Sequence, residues 1–257
     1  QMNDNKSGAN RPEGFPKSKI SKVGILGAGM MGGGIAYAAA KAGITVVLKD
    51  ITLESAQKGK NYSANIFDKL IPKGRATVEA KEAHLALITT TANASDLAGC
   101  DLIIEAVFED TQLKLTVTKE AEPFLADGGI FASNTSTLPI TGLAEASANP
   151  ANFIGLHFFS PVDRMPLVEI ICGKKTSSET LARAFDFVQQ IKKTPIVVND
   201  SRGFFTSRVF TTFLDEGAAL LEDGVDPMVI DNLSKLTGMP VGPLTMRDEV
   251  SLRLGLD

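Results

Sequence analysis

The stretch VGILGAGMMGGGIA, residues 23–36, joins a short apolar run to a glycine-rich turn and then to a helix-forming segment. Gly27, Gly29 and Gly32 have the spacing GxGxxG. The first glycine permits a tight turn, the second lets the backbone approach a pyrophosphate, and the third lets the helix pack closely on the strand. Phosphates would then face the N–H groups at the start of the helix. The stretch therefore predicts a dinucleotide site between a strand and a helix that begins at Met30.

An acidic residue ends the next apolar run. The segment ITVVLKD, residues 44–50, predicts a second strand, and Asp50 stands 18 residues after Gly32. A carboxylate there accepts hydrogen bonds from the ribose hydroxyls and repels a 2′-phosphate. The predicted cofactor is therefore NAD rather than NADP. Lys49 should point to the opposite face, because neighbouring residues of a strand alternate.

Apolar strands alternate with helix-length segments up to about residue 200. The strands are VGIL, ITVVLKD, ITTT, DLIIEAV, GIFASN and NFIGLHFF, and helices are expected from Met30, from about Leu53 and from Gln112 to Phe124. This alternation predicts an α/β fold, a Rossmann-like doubly wound parallel sheet, over residues 20–199. Residues 1–19 have the composition of a linker. Two helical stretches, Phe204 to Leu221 and Pro227 to Leu236, predict the start of an all-helical domain over 200–257, which we expect to be truncated.

Composition excludes several classes of protein. The 257 residues carry a net charge of -4, with a pI near 5.4, which argues against a nucleic-acid partner. We find neither an apolar run long enough for a membrane span nor a secretory signal. Cys100 and Cys172 lie in apolar segments without metal-ligand spacing, so we expect buried thiols, no metal site and a reducing, cytoplasmic location.

The two histidines have different surroundings. His84, in KEAHLA, is expected on a solvated helix surface, whereas His157 ends a strand at the sheet edge where ligands of such folds bind. A hairpin centred on Asp163 would place His157 directly opposite Glu169, on the same face. A buried glutamate there would orient the imidazole and stabilise the imidazolium, as suits a general base for a hydroxyl proton. The spacing alone leaves open that Glu169 is a solvated edge residue.

Small polar residues follow the strand GIF. The segment ASNTST, residues 132–137, places Ser133, Asn134, Thr135 and Ser136 at the carboxyl end of that strand. Their hydroxyls could bind nicotinamide or a substrate oxygen. They could equally cap the following helix, and the pattern does not decide between the two.

Five motifs, in order, closely resemble those of the L-3-hydroxyacyl-CoA dehydrogenases: VGILGAGMMGGGIA, IEAVFED, FASNTSTLPI, GLHFFSPVDRMPLVEII and MPVGPLTMRDEV. The resemblance covers residues 20–257 and is strongest to the dehydrogenase region of the fatty-acid oxidation complex alpha subunit. It implies NAD-linked oxidation of an L-3-hydroxyacyl-CoA to a 3-ketoacyl-CoA in β-oxidation. For a longer protein it implies a preceding enoyl-CoA hydratase domain and a complex with a thiolase subunit.

The resemblance also implies roles for single residues. His157 matches the catalytic base, Glu169 the acid paired with it, and Ser136 a serine that contacts both nicotinamide and the substrate 3-hydroxyl. Implied cofactor contacts are Gly27, Gly29, Met31, Gly32, Asp50, Val107, Phe108, Glu109, Lys114, Ser136 and Ser160. Implied substrate contacts are Ser136, Ser160 and Ser207; the last two stand where the family commonly has asparagine. The basic residues Lys58, Lys60, Lys69, Lys73 and Arg75 form either a clamp for CoA phosphates or a solvated helix face.

Two other functions fit parts of the pattern. A dehydrogenase of small free hydroxyacids would use a catalytic lysine in the helical domain, and Lys235 is the only lysine after Asp200. A catalytically idle NAD-binding protein would need neither His157 nor Glu169. Turnover of acetoacetyl-CoA with NADH separates these alternatives from the main hypothesis.

Overall fold

The computed structural model describes residues 8–249, and a single mixed sheet dominates its first part. The strands follow the order β3-β2-β1-β4-β5-β6-β7-β8 across the sheet. Their bounds are β1 Lys22–Leu26, β2 Thr45–Lys49, β3 Ile88–Thr91, β4 Cys100–Glu105, β5 Leu125–Ser133, β6 Phe153–Phe158, β7 Leu167–Cys172 and β8 Thr194–Asn199.

Strands β1 to β6 are parallel, while β7 is antiparallel to β6 and β8 is parallel to β7. The chain builds the sheet outward from β1 in one direction and then returns to place β4 on the other side of β1. The crevice between the carboxyl ends of β1 and β4 is the usual ligand site of such a sheet. The predicted doubly wound fold is confirmed, with a reversed β7 and β8 at one edge.

Helices cover the sheet, and several begin at a side chain that caps the backbone. They are α1 Met30–Lys41, α2 Leu53–Leu70, α3 Val78–Ala86, α4 Thr111–Ala121, α5 Ile140–Leu143 and α6 Ser178–Gln190. Thr52, Thr77, Asp110 and Ser177 each accept a backbone N–H from the first turn of α2, α3, α4 and α6, respectively. Such caps satisfy N–H groups that lack a partner within the helix.

Close helix packing brings α1 and α2 against the glycine turn. A Cβ on Gly33 would lie 2.9 Å from the carbonyl oxygen of Gly59, and a Cβ on Gly59 would lie 2.5 Å from that of Ala28. Ile25, Leu48, Ile104 and other fully buried strand residues form the core beneath these helices. Burial on both faces explains why these strands have continuous apolar sequences.

Residues 8–19 form neither helix nor strand but are fixed to α6. The Arg11 guanidinium donates to both oxygens of Asp186, at 2.7 and 2.9 Å, and the backbone N–H of Ser18 donates to the same carboxylate at 2.8 Å. Gln190 exchanges hydrogen bonds with the backbone of Ile20. Residues 1–7 of the expected linker lie outside the described residues.

The chain divides into two compact units, residues 1–202 and 203–257. The described part of the second contains α7 Thr206–Glu222, α8 Pro227–Leu236 and α9 Pro243–Glu249. Asp231 of α8 accepts the N–H groups of Leu244 and Thr245, at 2.9 and 3.0 Å, and so fixes the start of α9. Helices α7 and α8 correspond to the two expected helices, whereas the sequence pattern had not indicated α9. Residues 250–257 lie outside the described range.

Three further features of the structure can be compared with the sequence pattern. The pattern assigns no element between residues 178 and 199, where the structure has α6 and β8. Cys100 is fully buried, while Cys172 is partly exposed and packs against the core. Among residues 8–249, the structure has no helix with the length and apolar character needed to cross a membrane.

Candidate active site

The glycine turn after β1 has a backbone that only glycine fits. Gly27 has φ +87°, and a Cβ on it would lie 2.7 Å from the carbonyl oxygen of Ala106. A Cβ on Gly32 would lie 1.8 Å from the carbonyl oxygen of Gly27. The left-handed conformation and the two close approaches exclude a larger residue at either position. The turn therefore packs directly between β1 and the chain leaving β4.

Gly29 leaves the start of α1 open to a ligand. It is the N-cap residue, and within residues 8–249 no side chain caps this end or adds an acid to its first turn. Apart from atoms close to it along the chain, no heavy atom of the same residues lies within 4 Å of a Cβ built on Gly29. Unsatisfied N–H groups and the positive end of the helix dipole suit a pyrophosphate. The geometry thus fits the phosphates of a dinucleotide.

Asp50 lies beside this turn, just past β2. Its Oδ2 accepts the backbone N–H of Ala28 at 2.6 Å, and its Oδ1 accepts that of Ile51 at 2.7 Å. Lys49 forms an ion pair at 3.2 Å with Glu120 of α4, as expected for a residue on the opposite face. Each Asp50 oxygen has a further lone pair with which to accept a ribose hydroxyl.

His157 and Glu169 lie directly opposite each other on the antiparallel pair β6–β7. The distance between His157 Nδ1 and Glu169 Oε2 is 2.7 Å, and the two side chains are 8% and 0% exposed. The predicted hairpin register is confirmed, and the interpretation of Glu169 as a solvated edge residue is wrong. A buried carboxylate bound to Nδ1 fixes the orientation of the ring.

Phe159, a neighbour of His157, had not been singled out from the sequence. The ring of Phe159 packs on the imidazole with centroids 4.4 Å apart. Asn134 Oδ1 accepts the backbone N–H of Phe158 at 2.9 Å. This bond joins the polar segment after β5 to the strand that carries His157.

Glu109 organises the polar segment after β5. Its Oε1 accepts the Thr135 hydroxyl at 2.6 Å, the Ser136 N–H at 2.8 Å, the Ser136 hydroxyl at 3.0 Å and the Thr137 N–H at 3.0 Å. Burial alone would raise the pKa of Glu109, but the Lys114 ammonium and these hydrogen bonds hold the pKa below its usual value. Asp200, rather than this segment, accepts the first N–H groups of α5. Ser136 therefore has a defined position with its hydroxyl on Glu109.

Lys114 is enclosed beneath Glu109. Its side chain is 1% exposed and lies 2.9 Å from Glu105 Oε2 and 3.3 Å from Glu109 Oε2. Val107 contributes its N–H to Glu105 and its carbonyl to Lys114, whereas Phe108 is 86% exposed at the tip of the loop. Phe108 and Glu109 are the exposed residues of this group, and a ligand can reach them most easily.

The remaining expected contacts are dispersed. The Ser160 hydroxyl donates to Met30 Sδ at 3.5 Å, which brings the hairpin turn to the start of α1. Met31 is partly buried against the core. Ser207 lies in α7, within the second unit. Of the basic run, Lys58 pairs with Glu54 and Lys60 donates to the carbonyl of Ile88, while Lys69, Lys73 and Arg75 are exposed.

His84 is buried, so its expected place on a solvated helix surface is wrong. It is 6% exposed and lies between the rings of Tyr37 and Phe67, with centroids 5.0 and 5.1 Å away. Its Nε2 has no hydrogen-bond partner among the described residues. Burial, with a smaller effect of Lys41, lowers the pKa of His84 to about 4. Residues 8–249 contain no cluster of three His, Cys, Asp or Glu suited to a metal ion.

The chain resembles named proteins along nearly all of its length. It is 43% identical over 244 residues to the fatty acid oxidation complex subunit alpha of Shewanella sp. (strain W3-18-1) and to that of Shewanella baltica (strain OS155 / ATCC BAA-1091). Each alignment covers 95% of this chain and 35% of the relative, so the chain spans about a third of these proteins.

Solved structures show the same similarity. The (S)-3-hydroxybutyryl-CoA dehydrogenase of Ralstonia eutropha is 39% identical, with a TM-score of 0.89 over 93% of this chain and 85% of that one. The 3-hydroxybutyryl-CoA dehydrogenase of Escherichia coli K12 is 30% identical, with a TM-score of 0.88 over 93% and 51%.

The family models cover both units. Residues 22–201 match the NAD binding domain of 3-hydroxyacyl-CoA dehydrogenase, which confirms the predicted cofactor. Residues 203–257 match the C-terminal domain of the same family. The chain therefore belongs to the 3-hydroxyacyl-CoA dehydrogenase family.

Proposed function

We propose that this chain catalyses the reversible, NAD-linked oxidation of an L-3-hydroxyacyl-CoA to a 3-ketoacyl-CoA, as part of fatty-acid β-oxidation. The observation that carries the proposal is the contact of 2.7 Å between His157 and Glu169 at the carboxyl edge of the sheet. A buried histidine with an oriented ring suits proton transfer to and from a hydroxyl. An idle NAD-binding protein would have no need of it.

The nicotinamide of a bound NAD would supply the hydride acceptor, which is the chemistry that side chains lack. Gly29 and the start of α1 would hold the pyrophosphate, with Asp50 on the adenosine ribose. His157 would take the 3-hydroxyl proton on Nε2, because Nδ1 faces Glu169. Glu169 would then stabilise the imidazolium by accepting a hydrogen bond from Nδ1.

Ser136 would position the reacting carbon by donating a hydrogen bond to the substrate oxygen. In the structure its hydroxyl donates to Glu109 instead, so the hydroxyl would rotate towards the substrate while the backbone N–H stays bound to Glu109. Ser160, near Met30, would contact the cofactor and the substrate from the hairpin turn. Met31, Val107, Phe108, Glu109 and Lys114 would complete the surroundings of the cofactor, and Ser207 would contribute to the acyl-CoA site.

We also propose an assembly for the longer protein. The Shewanella relatives are named as alpha subunits of a fatty acid oxidation complex, and this chain matches about a third of them. On that basis the longer protein would bind a thiolase subunit in the cytoplasm. Affinity purification of the full-length protein from its own cells, followed by mass spectrometry, tests this assembly, and purification without a thiolase contradicts it.

The reaction is tested with acetoacetyl-CoA and NADH, followed by the loss of NADH absorbance. The His157→Gln variant should lose activity by a factor of about 1,000 or more, since general base catalysis and orientation by the pair are both removed. Its affinity for NADH, titrated by fluorescence, should stay within about twofold of that of the unmodified chain, because His157 is assigned to proton transfer and other residues hold the cofactor.

His84→Phe is the matched control, because it replaces the other buried histidine with a ring that still packs between Tyr37 and Phe67. It should retain activity. Turnover by His157→Gln at the normal rate would contradict the assigned base. Tight NADH binding without any turnover by the unmodified chain would favour an idle NAD-binding protein.

A further inference from the structure

A buried ion pair lies directly behind the segment that carries Ser136. The Lys114 and Glu105 side chains are each 1% exposed, and Lys114 Nζ lies 3.0 and 2.9 Å from the two oxygens of Glu105. The Ser133 hydroxyl donates to the same carboxylate. Burying two charges has a large desolvation cost, so an ion pair of this kind is often no more stabilising than apolar residues of the same volume. Stability alone therefore does not account for it.

Lys114 connects this pair to the surface of the site. Besides Glu105, its ammonium contacts Glu109 Oε2 at 3.3 Å. The other oxygen of Glu109 accepts the N–H and the hydroxyl of Ser136, at 2.8 and 3.0 Å. A continuous series of polar contacts thus runs from Glu105 through Lys114 and Glu109 to Ser136.

The two ends of the series differ in their freedom to move. Glu105 ends β4 and is fully buried. Its side chain is bound by Lys114, Ser133 and the N–H of Val107. The Glu109 side chain is 35% exposed, in the loop between β4 and α4. Glu105 is therefore the fixed end, and Glu109 is the end whose position depends on the charge beside it.

We propose that Glu105 is a positioning residue for Ser136, acting through Lys114 and Glu109. This inference rests on the reaction proposed above, in which Ser136 contacts the substrate. Glu105 neutralises the Lys114 ammonium from the buried side, so that Glu109 keeps Oε1 directed at residues 135–137. Without that charge, Glu109 becomes the main counter-ion of Lys114 and is drawn away from Ser136.

Hydrogen–deuterium exchange measures this positioning without requiring turnover. In Glu105→Gln, the amides of Ser136 and Thr137 should exchange about fivefold faster or more, because a hydrogen bond of ordinary net strength is lost from each. The amides of residues 130–132 in β5 should keep their protection. Thr118→Val is the matched control, since its buried hydroxyl also touches Lys114, but only at the backbone carbonyl.

Two results of the exchange measurement would overturn the proposal. One is unchanged exchange at Ser136 and Thr137, and the other is an equal rise throughout β5, which would indicate general loosening. If Glu105→Gln does not fold, the neutral double variant Glu105→Gln/Lys114→Met removes both buried charges together. It should fold and keep the amides of Ser136 and Thr137 as protected as in the unmodified chain, because the ammonium that would draw Glu109 away is then absent. Faster exchange at these amides in the double variant would contradict the proposal.

A kinetic cycle then connects Glu105 to Ser136. Glu105→Gln should lower kcat for acetoacetyl-CoA about tenfold in the unmodified chain but less than about twofold in a Ser136→Ala background, since coupled residues are not additive. Equal losses in both backgrounds would contradict the positioning role. Full activity of Ser136→Ala, or no turnover by the unmodified chain, would instead contradict the proposed function, and the exchange result then decides the role of Glu105.

Discussion

The carboxylate of Asp50 accepts the backbone N–H of Ala28, with 2.6 Å between Oδ2 and the nitrogen. The acid just past β2 thus touches the turn between Gly27 and Gly29, so that two parts of the candidate cofactor site are already joined. A negative charge is held at the place where a dinucleotide would present its adenosine ribose. We therefore expect Asp50 to affect both the affinity for the cofactor and the choice between NAD and NADP.

Replacing Asp50 with alanine should reduce the preference for NADH over NADPH. The variant removes the repulsion of a 2′-phosphate and the acceptor for the ribose hydroxyls. The Kd for NADPH divided by the Kd for NADH should therefore fall about tenfold or more. Fluorescence titration with each cofactor measures the ratio. Asp101→Ala is the control, because Asp101 accepts the N–H groups of Ser21 and Lys22 at the start of β1. An unchanged ratio in Asp50→Ala would argue against a ribose-binding role.

Two glycines of the same turn should respond differently to alanine. Gly32→Ala places a Cβ 1.8 Å from the Gly27 carbonyl oxygen and should lower the free energy of unfolding by about 3 kcal/mol. In Gly29→Ala the added Cβ meets open space, so the free energy of unfolding should hardly change. The same Cβ would occupy the approach of the pyrophosphate, so NADH should bind about tenfold more weakly. Urea denaturation and NADH titration distinguish the two effects. Normal NADH affinity in Gly29→Ala would contradict the phosphate cradle.

His84 should make the protein sensitive to acid. Its pKa is lowered to about 4 in the folded chain from an ordinary value of 6.5, so folding favours the neutral ring. The stability that it contributes is fully present above pH 6.5 and is lost as the pH falls from 6.5 towards 4. The free energy of unfolding should therefore fall by about 2 kcal/mol between about pH 7 and about pH 5.

The His84→Phe variant should lack this part of the pH dependence, because the phenyl ring does not titrate. Urea denaturation of both proteins over that pH range measures the difference. Parallel pH profiles of the two free energies of unfolding would show that His84 is not the titrating group.

Arg11 should stabilise the first unit. Its guanidinium is 12% exposed and bonds both oxygens of Asp186, so Arg11→Ala leaves a nearly buried carboxylate without its main partner. We expect a loss of about 2–3 kcal/mol in the free energy of unfolding, measured in urea. Lys19→Ala, at an exposed position nearby, should change it by less than about 0.5 kcal/mol. A loss in Arg11→Ala as small as in the control would show that residues 8–19 are not fixed by this pair.

The sequence predicted the parts of the site that depend on local spacing. Gly27, Gly29 and Gly32 define a turn by the absence of side chains, and Asp50 follows at a distance set by one helix and one strand. His157 and Glu169 were paired from their equal distance to Asp163, since residues opposite in a hairpin share a face. Each prediction required only neighbours along the chain or the rule of alternation.

The parts that were missed depend on contacts between distant elements. The segment KEAHLA has a polar sequence, and His84 is buried by contacts with other helices, among them the rings of Tyr37 and Phe67. Lys114 is likewise a charged residue whose burial requires a partner from the end of β4. A signal for β8 was present, because the run Ile196–Val198 is β-branched and stands between Pro195 and Asn199. For the Glu105–Lys114 pair the sequence carried no comparable signal.

The reversed strand β7 has a consequence for how the gene can vary in length. His157 and Glu169 face each other because the number of residues in β6 and β7 sets the side of the sheet on which each one lies. One residue inserted in β7 before Glu169 would turn its carboxylate to the other side. Insertions in the turn over residues 159–166 would leave the two strands in register. Insertions and deletions should therefore be eliminated by selection from β6 and β7, whereas in this turn they would disturb the contact of Ser160 with Met30 without changing the pairing of His157 with Glu169.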